Sequence, residues 1–173
     1  GVERVRDICI RVSCRYWVDN EIFNKLKTSR ENMNNRTFAI IKPDAVRNGN
    51  TGKIYDRILK ADFKILCAKL LRMTVAQAED FYAVHRERPF FNELTEFMSS
   101  GACMVLALEK DDAVNEWRKT IGATNPDDAD LGTIRKDFAT NVQENAVHGS
   151  DSNENAEKEI GFFFSQSELI ANK

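Results

Sequence analysis

Two apolar runs constrain the fold of this chain most strongly, because both have the length and composition of buried strands. Residues 37–42, with the sequence TFAIIK, are mostly aromatic or branched, and Pro43 ends the run. Proline cannot continue a central strand, so this run predicts a strand that stops at that position. Residues 102–108 form a second continuous apolar run of strand length. A sheet with such strands must be covered by other elements, which predicts a layered domain.

Helical patterns lie between the predicted strands. Residues 52–61 place Ile54 and Ile58 on one helical face. The other predicted elements are a strand at 64–72, a helix from the capping box at Thr74 to about residue 85, a helix with Pro89 in its first turn, helices at 111–121 and 134–138, and a helix capped by Asp151 with Glu154. This order predicts an α+β fold, a ferredoxin-like split βαβ sandwich whose four-stranded antiparallel sheet is covered by helices.

Length and composition restrict the function classes. A chain of 173 residues with 42% hydrophobic and 30% charged residues is typical of one globular domain. The net charge of −2 gives no electrostatic case for a nucleic-acid partner. No apolar stretch has the length of a membrane span, so no membrane association is expected. The 4 cysteines are scattered, and Cys67 and Cys103 lie in apolar runs, which favours reduced core thiols and a cytoplasmic location.

Residues 1–35 differ in character from the remainder of the chain. They carry charges of both signs and no continuous apolar core, and the short run at 8–12 is too charged for a signal-peptide core. We therefore expect an N-terminal extension at 1–35 that is not part of the domain, and a domain that comprises residues 36–173.

Residues 145–152, with the sequence NAVHGSDS, are the stretch that is most informative about chemistry. The chain contains only 2 histidines, and His148 stands here at the end of a short apolar run, followed by a glycine turn and three capping residues. A neutral imidazole can act as a nucleophile, and the start of a helix attracts anions. The stretch therefore suggests a histidine that handles phosphate. A partly buried structural histidine beside a Gly-Ser turn would have the same residues.

Other phosphate and metal motifs are not matched. Residues 49–53, GNTGK, are too short between their glycines for a P-loop, and Ile54 stands where a hydroxyl must reach magnesium. No Arg-His-Gly triplet suggests a histidine phosphatase, and no His-Glu-x-x-His spacing suggests a protein-held metal. The side chains that could join His148 are Lys42, Arg118, Thr124, Arg135 and Asn145, each of which alone could be a solvated surface group.

Residues 36–170 resemble nucleoside diphosphate kinases nearly from end to end. The matching segments, in the order and spacing of the family, are 36–46 (RTFAIIKPDAV), 88–91 (RPFF), 122–126 (GATNP), 132–135 (GTIR) and 145–152 (NAVHGSDS). The last of these is a highly specific signature. One departure is visible: Ala102 stands after Ser-Gly where the family usually has proline. This exchange alters a turn and removes no ligand.

The resemblance implies a reaction and roles for individual residues. His148 would take the terminal phosphate of a nucleoside triphosphate, typically ATP, and pass it to a nucleoside diphosphate by a ping-pong mechanism through phosphohistidine. Glu159 matches the glutamate that hydrogen-bonds the other ring nitrogen and sets the tautomer. Lys42 and Tyr82 match positions close to the transferred group and the sugar. The phosphates would be held by Arg118, Thr124 and Arg135.

The resemblance also implies how the rest of the nucleotide is held. Phe90 would stack on the base, while Lys42 and Asn145 would hold the sugar hydroxyls. His85 matches a phosphate-side position that varies in the family. Mg²⁺ is expected to bind through nucleotide phosphates and not in a protein cage. Family members assemble as tetramers or hexamers, so a homo-oligomer is expected.

Two other function classes fit the same layout. An RNA-recognition module needs exposed aromatic residues on its central strands, and the run at 102–108 has none. A non-catalytic regulatory or scaffold protein of the same fold would be expected to lose His148 or the residues around it, and all of them are present. The enzyme is therefore the favoured interpretation, with the scaffold as the alternative.

Overall fold

The computed structural model describes Ile22 and residues 35–171. The expectation of an extension at 1–35 lies outside the described residues except at Ile22 and Asn35. Every element below belongs to the second of the two units into which the chain divides, Asn34–Lys173. In chain order these are β1 (Arg36–Ile41), α1 (Pro43–Arg47), α2 (Thr51–Lys60), β2 (Lys64–Arg72), α3 (Val75–Phe81), a 3₁₀ turn (Ala83–His85), α4 (Phe91–Ser99), β3 (Ala102–Glu109), α5 (Ala113–Ile121), α6 (Ile134–Phe138), β4 (Val147–Gly149), α7 (Asn153–Phe163) and α8 (Gln166–Ala171).

The strands form one antiparallel sheet in the order β2-β3-β1-β4. β1 is central and pairs along its whole length with β3, from Arg36 opposite Glu109 to Ile41 opposite Met104. β4 is short and pairs with the end of β1, which places His148 opposite Ile40. The predicted α+β fold, a ferredoxin-like split βαβ sandwich, is confirmed.

Helices cover both faces of this sheet, which explains why β1 is apolar at almost every position. Phe38 and Ile40 point into one core layer, and Ala39 and Ile41 point into the other. The first layer is completed mainly by α3, α4, α7 and α8, and the second by α2, α5 and α6. A strand that is buried on both faces has no polar face, so a period-2 alternation is absent.

Two helix starts differ from the sequence prediction. Pro89 does not lie in the first turn of a helix, because α4 begins at Phe91 after a turn closed by the Phe91 N–H on the Arg88 carbonyl, 3.0 Å. Asp151 does not cap α7. The cap is Ser152, whose Oγ accepts from the Asn155 N–H at 3.1 Å, while Asp151 Oδ1 accepts from the Asn155 side chain at 2.6 Å.

Two further helix boundaries and one short helix were not predicted. α3 ends at Phe81, four residues early, because a 3₁₀ turn replaces its last turn. α5 begins at Ala113 after Asp112, whose φ of 52° breaks the helix on its N-terminal side. α1 was not expected, since its five residues are too few to show a helical period.

Among residues 35–171, no helix has both the length and the apolar composition that crossing a lipid bilayer requires. Within the same residues, Cys103 is a fully buried thiol in β3, as predicted for a core cysteine.

Candidate active site

A cleft of about 870 Å³ gathers side chains from distant parts of the chain. Its size suits a small-molecule site. The predicted residues that line it are Lys42, Tyr82, Phe90, Thr124, Arg135, Asn145, His148 and Glu159, and His85 lines it as well. Arg118 is the exception. It is exposed on α5 and outside this lining, but its charge acts on Arg135 and Asp151.

His148 is held by two hydrogen bonds to other elements. Its backbone carbonyl accepts from the Trp117 indole N–H at 3.1 Å, and its ring Nε2 is hydrogen-bonded to Glu159 Oε1. α7 thus supplies the acceptor that orients a ring carried by β4. With Nε2 engaged by a carboxylate, Nδ1 is the nitrogen that remains for chemistry in the cleft.

Aromatic rings surround the imidazole. The ring centroids of Phe38, Phe81 and Tyr82 lie 6.0, 5.7 and 6.3 Å from that of His148, all with edge contacts. Apart from the Glu159 carboxylate, the side chains in these contacts with the imidazole are therefore aromatic rings. The buried Tyr82 hydroxyl has no hydrogen-bond partner among the described residues, and burial followed by the charge of Glu159 raises its pKa. Tyr82 thus remains a neutral phenol with a proton to donate.

Lys42 follows β1 and lies almost wholly inside the protein. Its Nζ donates to Asn145 Oδ1 at 2.6 Å, and Asn145 Nδ2 donates to the Thr124 carbonyl at 3.3 Å. Burial, reinforced by the positive charge of Arg135, lowers the pKa of Lys42 to about 8. The ammonium is therefore poorly compensated, and an anion in the cleft would stabilise it.

Arg135 is a second cation that lacks a full counter-charge. It is 8% exposed and donates to the carbonyl oxygens of Gly122 and Val147 at 3.1 and 3.0 Å. Its Nε has no partner among the described residues. Burial and the nearby Arg118 lower its pKa to about 10. The Arg135 guanidinium and the Lys42 ammonium both line the cleft, and the charge of Arg118 acts on Arg135 from outside the lining, so this set of cations suits a multiply charged anion.

Exposed apolar side chains from the 82–90 segment and from the 139–146 loop line the cleft. Phe90 is 49% exposed and Val142 is 55% exposed, and both line the cleft. Large apolar side chains that stay exposed in a cleft are available to a flat apolar ligand.

Sequence reasoning missed several residues that support the site. Val142 is a single apolar residue in a polar loop, which gives no pattern. Trp117 lies in the predicted helix at 111–121, where nothing in the sequence indicates a role in the site, and its hydrogen bond to the His148 carbonyl follows from the packing of α5 on β4. Asp44 has 1% exposure, and its carboxylate accepts from the Ala146 N–H at 3.0 Å. The sequence around Asp44, a charged residue that follows Lys-Pro, gave no indication that its side chain would be buried.

Comparison with known proteins agrees with this geometry. The family model described as nucleoside diphosphate kinase matches residues 35–169. The chain is 58% identical over 135 residues to a nucleoside diphosphate kinase of Geotalea uraniireducens, covering 78% of this chain and 98% of that protein. It is 53% identical over 137 residues to that of Salinibacter ruber, covering 79% and 96%.

Solved structures show the same fold. The Aquifex aeolicus nucleoside diphosphate kinase superposes with a TM-score of 0.76 at 47% identity, covering 78% of this chain and 97% of that chain. A halophilic nucleoside diphosphate kinase from Halobacterium salinarum, solved in complex with CDP, gives 0.74 at 36% identity and covers 78% and 90%. With a family match over most of the chain and these identities, the chain belongs to the nucleoside diphosphate kinase family.

Proposed function

We propose that His148 Nδ1 is the nucleophile of a nucleoside diphosphate kinase reaction. Its lone pair attacks the terminal phosphorus of a nucleoside triphosphate, and the bond from that phosphorus to the bridging oxygen breaks. The electron pair leaves with the nucleoside diphosphate. A second diphosphate then attacks the phosphohistidine and restores the imidazole. The observation that carries this proposal is the Nε2 hydrogen bond to Glu159, which leaves Nδ1 available beside cations without full counter-charges.

The cations of the cleft suit the phosphates. Lys42 and Arg135 are buried and poorly compensated, and Arg118 lies close enough to act on Arg135. Phosphoryl transfer depends chiefly on positioning and on neutralising the charge of the equatorial oxygens. Thr124 and Tyr82 would add hydroxyl donors to the phosphates and the transferred group. Asn145, which is bonded to Lys42, would share the sugar hydroxyls with it.

The base would lie between Phe90 and Val142. Stacking accepts every base because each presents a π-face, which suits an enzyme that acts on many nucleotides. The Halobacterium salinarum relative was solved with CDP, a nucleoside diphosphate, which supports a substrate of this class.

Magnesium fits the donor set of the cleft as an ion carried by the nucleotide. Among the described residues, no group of three or more His, Cys, Asp or Glu side chains could hold a metal. Mg²⁺ commonly uses phosphates, waters and one or two carboxylates, and Asp151 is a carboxylate on the cleft that would face it. When bound, the ion neutralises phosphate charge.

Three further properties belong to this proposal. The kinase domain comprises residues 36–173 and residues 1–35 are an extension, which the match at 35–169 supports. The protein acts in the cytoplasm, in keeping with the free thiol of the buried Cys103. It assembles as a homo-oligomer, tetramer or hexamer, which small-angle scattering would distinguish.

The test is phosphate transfer in two separated steps. The protein is incubated with ATP labelled at the terminal phosphate, freed of nucleotide, and then given GDP. We expect an acid-labile, alkali-stable protein label that moves to GTP. A protein that takes no label would contradict the mechanism and favour the alternative, a non-catalytic scaffold.

Nucleotide binding should weaken as the pH rises through about 8, the pKa of Lys42. Lysine is charged below its pKa and neutral above it, while nucleotide phosphates stay ionised. Loss of one charge-assisted contact is worth about 1.5–3 kcal/mol, so KM for ATP should rise ~10-fold or more between pH 7 and 9.5. The measurement is steady-state KM against pH.

The Lys42→Met variant is the control for this pH dependence. Its KM should be high at every pH and flat across the range, because the titrating group is gone. Since Arg135 titrates only near 10, it should add little below pH 9.5. An equal rise of KM with pH in the variant would contradict the assignment to Lys42.

The Phe90→Ala variant should weaken binding of all nucleotides to a similar degree. Base–aromatic stacking contributes about 1–3 kcal/mol, so KM for ATP, GTP, CTP and UTP should each rise by about 5-fold to ~10²-fold. Leu131→Ala is the matched control, because Leu131 is 88% exposed and lies outside the lining of the cleft. A loss confined to one base would contradict stacking.

A further inference from the structure

A strained turn immediately precedes the strand that carries His148. The Val147 N–H donates to the Asn145 carbonyl at 2.8 Å, which closes a three-residue turn, and the central residue Ala146 has a φ of 68°. A γ-turn with positive φ at its centre is rare and strained, and a residue with a Cβ seldom adopts that region. Such strain persists only where the surroundings enforce it.

Both backbone polar groups of Ala146 are held by the segment that follows β1. Its N–H donates to Asp44 Oδ2 at 3.0 Å, and its carbonyl accepts from the Lys42 backbone N–H at 2.8 Å. Asp44 is 1% exposed, and its Oδ1 has no hydrogen-bond partner among the described residues. Burial raises the pKa of Asp44, while the Ala146 N–H and then Lys42 oppose that rise. Burying a carboxylate costs free energy, and this buried carboxylate lies where it bonds to the strained turn.

The turn lies between the two halves of the site. On one side, the Asn145 side chain is bonded to Lys42 Nζ and to the Thr124 carbonyl. On the other side, two residues along β4, His148 is bonded to Glu159. The φ of Ala146 therefore sets the direction from the nucleotide-holding pair to the nucleophile.

We propose that Asp44 is a positioning residue whose carboxylate holds the turn at Ala146 and thereby aligns His148 with the Lys42–Asn145 pair. This inference rests on the proposed function of His148. Asp44 touches no reacting atom in this role, and it acts on the reaction through the backbone of residues 145–148.

The test compares two variants of Asp44 in single-turnover phosphorylation of His148 at saturating ATP. The Asp44→Ala variant has no acceptor for the Ala146 N–H, and a displacement of about 1 Å can cost ~10²-fold in rate, so we expect a loss of that order. The Asp44→Asn variant keeps an oxygen acceptor, and its rate should stay within ~10-fold of the wild type. In both variants the ATP concentration for half-maximal rate should change less than the rate.

The Glu144→Ala variant is the matched control, because it also removes a carboxylate that joins the loop to α1. Glu144 Oε1 pairs with Arg47 NH2 at 3.0 Å, so it also joins α1 to the loop before β4, but this contact is exposed and the Glu144 carboxylate bonds no backbone group of the turn at 145–147. Its single-turnover rate should equal that of the wild type. If Asp44 served only to tie the loop to α1, loss of either contact should lower the single-turnover rate to a similar degree.

Relief of the strain supplies a second, independent test. Glycine adopts positive φ without penalty, so Ala146→Gly should restore most of the rate lost in Asp44→Ala. This double variant also answers the question if Asp44→Ala alone fails to fold. Three results would overturn the proposal: a wild-type rate in folded Asp44→Ala, an Asp44→Asn variant as slow as Asp44→Ala, or no recovery in the double variant.

Hydrogen exchange separates this proposal from the proposed function. The Ala146 amide should exchange faster in the Asp44→Ala variant, which has no acceptor for it, whether or not the protein takes phosphate. If the wild-type protein takes no label, the function of His148 fails, while exchange still decides whether Asp44 holds the turn. Unchanged exchange at Ala146 in folded Asp44→Ala would reject the role of Asp44.

Discussion

The His148→Ala variant should take no phosphate from ATP and should lose at least ~10⁴-fold in turnover, because a covalent route without its nucleophile has no alternative group in place. Alanine removes the ring that Glu159 and the aromatic neighbours enclose. It leaves untouched the backbone carbonyl that accepts from Trp117. The fold should therefore survive, and a thermal melt close to that of the wild type would show this.

His85 provides the comparison within the same cleft. It is the second histidine of the chain and also lines the cleft, but its ring stacks beside Tyr82 at 6.5 Å between centroids. Among the described contacts, no carboxylate is bonded to His85. The His85→Ala variant should still be labelled by ATP. Label that persists in His148→Ala, or disappears in His85→Ala alone, would contradict the assignment.

The Gly149→Ala variant should lose both stability and activity. A Cβ at this position would lie 2.7 Å from Trp117 Cδ1 and 3.1 Å from Ile121 Cδ1. Trp117 is fully buried, packs edge-on against Phe63 at 5.7 Å and is bonded to the His148 carbonyl, so it cannot move without disturbing its neighbours. Overpacking of this kind typically costs about 1–3 kcal/mol in the free energy of unfolding.

The displacement caused by this substitution should also lower the reaction rate. Gly149 follows His148 directly and pairs with Ala39 in β1, so a shift of this backbone moves the imidazole, and a shift of about 1 Å can cost ~10²-fold in rate. Gly161→Ala is the control, because a Cβ there meets nothing within 4 Å. It lies inside α7, where alanine should raise stability by about 0.5–1 kcal/mol. Equal melting temperatures for the two variants would contradict the packing argument.

The sequence predicts features whose cause is local. β2 is confirmed at 64–72 and α6 at 134–138, since apolar spacing and capping residues lie within a few positions of one another. The boundaries of α3 and α4 were wrong, because they depend on how the 82–90 segment turns between the two helices. Propensity and periodicity carry no information about such a turn.

The residues of the candidate site likewise differ in whether a local sequence pattern predicts them. The signature at 145–152 marks His148 from the sequence alone, because its residues are contiguous and specific. Glu159 is predicted only by the family resemblance, because no local pattern marks it, and its contact with Nε2 depends on how α7 packs on the sheet. Arg118 was predicted with the phosphate ligands, and the structure places it outside the lining of the cleft, where its charge acts on Arg135.

The sequence by itself determined the family and most of the strand–helix order, and it predicted the cleft residues that belong to the family signature, since each depends on residue types at fixed spacings. Only the tertiary structure decided which of those side chains are buried without full compensation, as Lys42 and Arg135 are. It alone brought Asp44 to Ala146, which stands 102 positions away. The physical reason is that burial and long-range hydrogen bonds are properties of the packed chain, because the energies that set a pKa or hold a strained turn come from neighbours that are distant in sequence.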